Sequence, residues 1–228
     1  MQSTTPTDTT HNMASLRAQW AQLGNRLQRT GPGWTAEGEK LLRHWTRWPR
    51  AYHDTHHLHA CLKHLQQLQR DQPDALDAPD TAALALWFHD AIYWPWKSNN
   101  EERSAQWASR FLNAQELPAQ QVLAVHQHIL DTRHRPGVLK GDARWVVDID
   151  LCILGQPEAI YRQFERAVRK EYSFVPLSQY VAGRSAVLQG FLDRDRIYET
   201  DHFAQRLETQ ARANLAMAIQ ALANHHSF

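Results

Sequence analysis

The sequence predicts an all-α protein built as one domain, and three observations carry that expectation. Apolar residues recur at helical spacing in run after run along the 228 residues. No stretch shows the apolar–polar alternation of a half-buried strand. Clusters of Gly, Pro, Asn and Asp stand between the runs, where helices end. Hydrophobic residues make up 43% of the chain, enough at this length for a substantial core. There is no internal repeat or low-complexity linker, and the motif residues are spread too widely for two separable domains.

Residues 1–12 are polar and Thr-rich, and are expected to form a disordered tail ahead of a domain over 13–228. A first helix over 14–29 carries Leu16, Trp20, Leu23 and Leu27 on one stripe, and Thr30-Gly-Pro-Gly33 breaks it. A second helix from Thr35 presents Leu41, Leu42, Trp45 and Trp48, with Pro49 interrupting it. The His-rich stretch from Tyr52 to Leu68 reads as helix, and two Asp/Pro clusters, Asp71–Asp74 and Asp77–Asp80, form a loop. Thr81–Phe88 is apolar on most sides and reads as a buried helix closed by His89-Asp90. The segment Tyr93-Trp-Pro-Trp-Lys-Ser-Asn-Asn100 mixes aromatic and polar residues, which is unusual for a plain connector. Ser98, Asn99 or Asn100 can cap the next helix, with Glu101 and Glu102 in its acidic first turn. That helix carries Ala105, Ala108, Phe111 and Leu112 inward. Another starts at Leu117-Pro118 with Val122, Val125 and Ile129, and Thr132–Gly137 breaks the pattern. Three more helical runs follow over about 142–154, 157–171 and 177–193. A long last helix, 200–223, spaces Phe203, Leu207, Ala211, Leu215 and Ile219 helically.

The totals narrow the function classes. A formal net charge of +1 gives no argument for nucleic acid or an anionic membrane surface as the main partner. No segment is apolar for the length of a membrane span, and the N-terminus lacks the basic start and apolar core of a signal peptide. A cytoplasmic protein is therefore expected. Cys61 and Cys152 lie in apolar helical contexts and read as buried free thiols in a reducing compartment. The chain has 14 His, a number that hints at metal chemistry and also makes chance His pairs common. His56, His59 and His64, and still more His225 and His226, read as structural or solvent-facing.

One constellation concentrates the chemistry. His53 and His57 are four residues apart, and four helical steps return a side chain to within roughly 40° of the first. His89-Asp90 ends an apolar helix, an arrangement that is costly unless a partner is present. Asp148 and Asp150 stand in another apolar run, Trp145–Leu154. Two imidazoles and two carboxylates form a mixed nitrogen and oxygen donor set without thiolate. Such a set suits Mn²⁺, Fe²⁺, Co²⁺, Ni²⁺ or Mg²⁺, with zinc not required.

Taken together, His57, His89-Asp90 and Asp150 resemble the signature of the HD superfamily of metal-dependent phosphohydrolases. His53-Asp-Thr-His-His57-Leu looks like that superfamily's first motif, whose second His is the usual ligand. The stretch is also similar to the Tyr-His-Asn-x-x-His motif of cyclic-nucleotide phosphodiesterases, where the first His is the proton donor. A closer resemblance is to a bacterial group of predicted HD-superfamily phosphohydrolases. It rests on Pro49-Arg50-x-Tyr52-His53, Trp87-Phe-His-Asp-x-x-Tyr93, Asn100-Glu101-x-x-Ser104-Ala105 and Ile129-x-x-Thr132-x-His134. It continues through Asp148-x-Asp150-Leu-x-Ile-Leu-Gly155, Arg169-x-Glu171-Tyr172 and Gly183-Arg184, so that it spans 48–214. The resemblance implies an HD-type helical bundle with metal ligands His57, His89, Asp90 and Asp150. Asp150 is preferred to Asp148 because, in related sequences, the ligand directly precedes the apolar residue that Leu151 matches. His53 and Asp90 are the implied catalytic pair. Arg50, Tyr52, Lys97, Glu101 and His134 are the implied substrate contacts.

The implied activity is hydrolysis of a small phosphorylated, nucleotide-like substrate at one or two divalent ions. No organic cofactor is expected, homo-oligomerisation is left open, and no stable nucleic-acid complex is expected. Arg133, Arg135, Trp94 and Trp96 are further candidates to hold phosphate or stack a base. Two rival readings stand beside this one. Some HD proteins are di-iron oxygenases with extra His ligands, and this chain has His126, His128 and His134 in the relevant interval. The other rival is a metal-binding regulatory module without catalysis.

Overall fold

A computed structural model of the chain describes residues 6–135 and 138–224. These residues form ten α-helices and one short 3₁₀ turn, with no strand among them, so the fold class is all-α as expected. The contacts divide the chain into two compact units, 1–146 and 147–228.

The first unit is organised around a helix that is buried all round. Its elements are α1 (Pro6–Arg26), α2 (Pro32–Trp45), α3 (Thr55–Asp71), α4 (Pro79–Phe88), α5 (Asn100–Ala114) and α6 (Ala119–Asp131). Every residue of α4 from Thr81 to Phe88 is buried, and α1, α3, α5 and α6 pack against it. A helix with no polar face belongs in a core, and its sequence, Thr-Ala-Ala-Leu-Ala-Leu-Trp-Phe, has none. Pro79 occupies the first turn, where a missing N–H costs nothing. The Asp142 carboxylate accepts from the N–H groups of Asp77 and Ala78 at 2.9 and 2.8 Å and so holds the entry to α4.

Indole rings lock α1 and α2 to this core. Trp20 and Trp34 stack at 4.5 Å, and each Nε1–H donates to the other's backbone carbonyl. Trp87 and Phe88 meet Trp20 edge-on at 5.0 and 6.3 Å. A methyl group at Gly38 would run into the Trp20 indole, so this close approach requires glycine.

Several boundaries differ from the sequence expectation. Helix α1 starts at Pro6, earlier than 14. Asn12 is buried and donates to the Thr55 carbonyl at 3.2 Å, which anchors the early turns to α3. The expected tail over 1–12 thus overlaps α1 from Pro6 onward, while 1–5 lie outside the described residues. Pro136, Gly137, His225 and His226 lie outside them as well. Helix α3 begins at Thr55 instead of Tyr52, because the Asp54 carboxylate accepts from His56 N at 2.8 Å and caps it there. None of Ser98, Asn99 and Asn100 caps α5 through its side chain. Asn100 is its first residue and folds back instead, accepting from Trp94 N and donating to the carbonyls of Trp94 and Lys97.

Helix α7 (Ala143–Asp150) passes from the first unit into the second. A 3₁₀ turn over Leu151–Gly155 follows, then α8 (Glu158–Glu171), α9 (Leu177–Leu192) and α10 (Asp201–Ala223). Helix α10 packs against the 3₁₀ turn, α8 and α9. Asn214 of α10 donates to the carbonyls of Leu154 and Gln156, both at 2.8 Å, and satisfies groups the 3₁₀ turn leaves open.

Candidate metal centre

The end of α4 places His89 against α3. Both helices are amphipathic or apolar where they meet, and burial brings His57, Cys61 and His89 together at 5%, 2% and 1% exposure. One donor atom from each of these three residues lies within 4.8 Å of the others. The Nε2 atoms of His57 and His89 are 3.1 Å apart, and Asp90 Oδ2 is 3.4 Å from His89 Nε2. Trp45 of α2 lies beside both imidazoles, and its Nε1–H donates to the Trp87 carbonyl at 3.1 Å.

The hydrogen bonds of His89 fix what its ring can do. Nδ1 is 2.8 Å from the Leu86 carbonyl, which only accepts, so Nδ1 carries the proton. In the neutral ring, Nε2 is then a lone pair aimed towards a carboxylate oxygen and a second imidazole nitrogen. A buried lone pair beside a carboxylate oxygen is costly unless a proton, such as one on His57 Nε2, or a cation lies next to it. An imidazole oriented by a backbone carbonyl through its other nitrogen is also the usual state of a metal-ligating His. The donor set therefore fits a divalent ion. Cys61 was absent from the donors expected from sequence. It stands one helical turn after His57, with Sγ 3.7 Å from His57 Nε2, and adds a softer donor that favours zinc, iron or cobalt over magnesium.

His53 is not on the helix face of His57, because Asp54 caps α3 behind it. Its ring stacks on Tyr93 at 4.2 Å and stands 6.0 Å from the His57 ring. Tyr52 lies 4.8 Å from the rings of both histidines and forms a wall of the site. Arg50 is a strut: its guanidinium donates to the carbonyls of His53, Asp90 and Ala91 at 2.5, 2.7 and 3.2 Å. These bonds tie the loop before α3 to the turn after α4, so Arg50 holds the two halves of the motif in register.

The remaining expected contacts are dispersed. Lys97 is exposed in the turn that Asn100 pins. Glu101 is half-buried in the first turn of α5, and burial, together with the nearby Asp90 charge, raises its pKa above the ordinary carboxylate value. Arg133 pairs with Glu102 and lies 4.0 Å from Glu101. His134 follows α6 with a positive φ of 54°. His126 Nδ1 is 2.9 Å from Ser109 Oγ, a link between α5 and α6. Among the described residues, the group able to hold a metal does not include His126, His128 or His134.

In the second unit, the two acidic candidates separate. The Asp148 carboxylate accepts from Glu199 N, Thr200 N and Thr200 Oγ1 at 2.7, 2.8 and 2.6 Å, and secures the start of α10. Burial still pushes its pKa up to about 6, against the lowering effect of those bonds. Asp148 is thus committed to structure, and Asp150, half-buried at the end of α7, is left as the ligand candidate of the pair. Asp148→Asn is expected to cost about 1–3 kcal/mol in denaturant unfolding while leaving metal content unchanged. Loss of metal without loss of stability would reverse the assignment of the two aspartates.

No protein-family description, no curated protein and no solved structure matches this chain.

Proposed function

We propose that the chain is a metal-dependent phosphohydrolase of the HD type, acting on a small phosphate ester of the nucleotide class. The observation that carries this reading is the gathering of donor atoms of His57, Cys61 and His89 within 4.8 Å of one another beside a buried helix end, with Asp90 Oδ2 3.4 Å from His89 Nε2. His57, His89 and Asp90 would hold a divalent ion. Asp150 enters as a further ligand on the sequence pattern, and Cys61 is an additional donor. A divalent ion held there supplies Lewis-acid activation of water and of a phosphoryl group.

The other steps fall to side chains. Leu86 orients His89 through Nδ1, and Arg50 fixes the Asp90 turn, so the donors need little reorganisation when substrate arrives. His53, stacked on Tyr93 beside His57, protonates the leaving oxygen. His53→Ala should lower kcat by about 10²–10⁴-fold with metal retained. An unchanged kcat would make His53 a packing residue. The di-iron alternative needs extra His ligands, and His126 is instead paired with Ser109.

The reading is tested with metal-free protein reloaded with Mn²⁺ under anaerobic conditions and given a panel of nucleotides. Phosphate release or phosphodiester cleavage is expected. Turnover that requires both iron and oxygen would refute hydrolysis in favour of oxygenation.

A further inference from the structure

A second feature of the first unit lies at the turn after α4. A cavity of about 130 Å³ is lined by Arg47, Arg50 and Arg103, with His44, Trp48 and Trp94 among the other lining residues. Its lining contains three guanidinium groups and no carboxylate. Like charges around one concavity repel each other, and in a chain of net charge +1 this concentration is local. His44 feels the same field: burial lowers its pKa, and Arg47, Arg50 and Lys40 lower it further.

The aromatic side chains supply the second element. Trp48 is 80% exposed, unlike the core indoles, and its ring lies 6.4 Å from Trp96. Trp96 is 5.2 Å from Trp94, and the Arg47 guanidinium stands 5.6 Å over the Trp94 ring. Cations beside open indole faces are the combination that takes an anionic group and a planar ring together. Asn100 and Ser104 brace the connecting loop, since Ser104 Oγ accepts from Ile92 N at 3.0 Å. The backbone of the 92–94 wall is therefore set before a ligand arrives.

We propose that this cavity is a binding site for a phosphate-bearing aromatic ligand. Arg47 and Arg103 take the phosphate, and Trp48 and Trp94 take the ring. The site does not depend on the metal centre being hydrolytic. The test uses the full chain after chelator treatment, which removes any metal as a rival anchor for phosphate. Adenosine monophosphate and inorganic phosphate are titrated by calorimetry, with indole fluorescence as a second signal. Saturable binding of adenosine monophosphate is expected, weakened about tenfold or more in Arg103→Glu and in Arg47→Glu. Trp48→Ala should weaken adenosine monophosphate and leave inorganic phosphate unaffected. Residues 47, 48 and 103 are all exposed, and unchanged thermal unfolding verifies that each variant folds. Absence of saturable binding by the wild type, or equal affinity in both charge-reversed variants, would overturn the proposal.

Discussion

On the proposed function, His89→Ala is expected to abolish divalent-ion binding and to lower turnover by about 10³-fold or more. Metal activation supplies several kcal/mol of transition-state stabilisation, and each 1.4 kcal/mol is about tenfold in rate. His89 stands next to two of the other candidate donors. Its Nε2 lies 3.1 Å from His57 Nε2 and 3.4 Å from Asp90 Oδ2, and its Nδ1 is fixed on the Leu86 carbonyl. The substitution leaves that carbonyl unpaired at a buried position and should cost about 1–3 kcal/mol of stability, less than unfolding requires. Circular dichroism separates the two effects, since helical content should be retained while turnover is lost. Turnover within about tenfold of wild type in a folded variant would remove His89 from the chemistry.

The second large effect lies in the other unit and concerns stability. Glu165 is 0% exposed, and Arg184 donates to both its oxygens at 3.0 and 2.6 Å, while the Tyr161 hydroxyl donates at 2.6 Å. Burial holds the Tyr161 phenol far above its ordinary pKa, so it remains a donor. Arg184→Met removes the only cation that these bonds give Glu165 and leaves a buried carboxylate facing one hydroxyl. The expected cost is about 3–5 kcal/mol, read as a fall in the denaturant midpoint. The double variant Arg184→Met/Glu165→Met should recover much of it, because a hydrophobic pair carries no desolvation penalty. A loss below about 1 kcal/mol in the single variant would mean that the pair is solvated in solution.

The helices were legible in the sequence where burial sets their period. The apolar run 81–88 announced a helix without a polar face, and α4 is buried along that whole stretch. Boundaries set by single side chains were not. Asp54 could have been an ordinary solvent-facing acid, and only its bond to His56 N shows that α3 starts after His53. The clustering of His57 and His89 was legible, because a His in an apolar run requires a partner. Cys61 carried a signal that went unused: a cysteine four residues after a ligand-type His shares its helix face. Arg50 was read as a phosphate contact because arginine suits that role. Two of its three carbonyl partners, Asp90 and Ala91, are distant in sequence and could not be inferred from spacing. Asp148 and Asp150 were separated in sequence only by resemblance. The distinction became physical when Asp148 proved to cap the approach to α10.

Elemental analysis after exchange against first-row divalent ions tests the metal centre most directly. The wild type should retain a stoichiometric divalent ion through dialysis, and His57→Ala and Asp90→Ala should each lose it while remaining folded. Full metal content in both variants, or a wild type that retains no divalent ion, would contradict the assignment of this site.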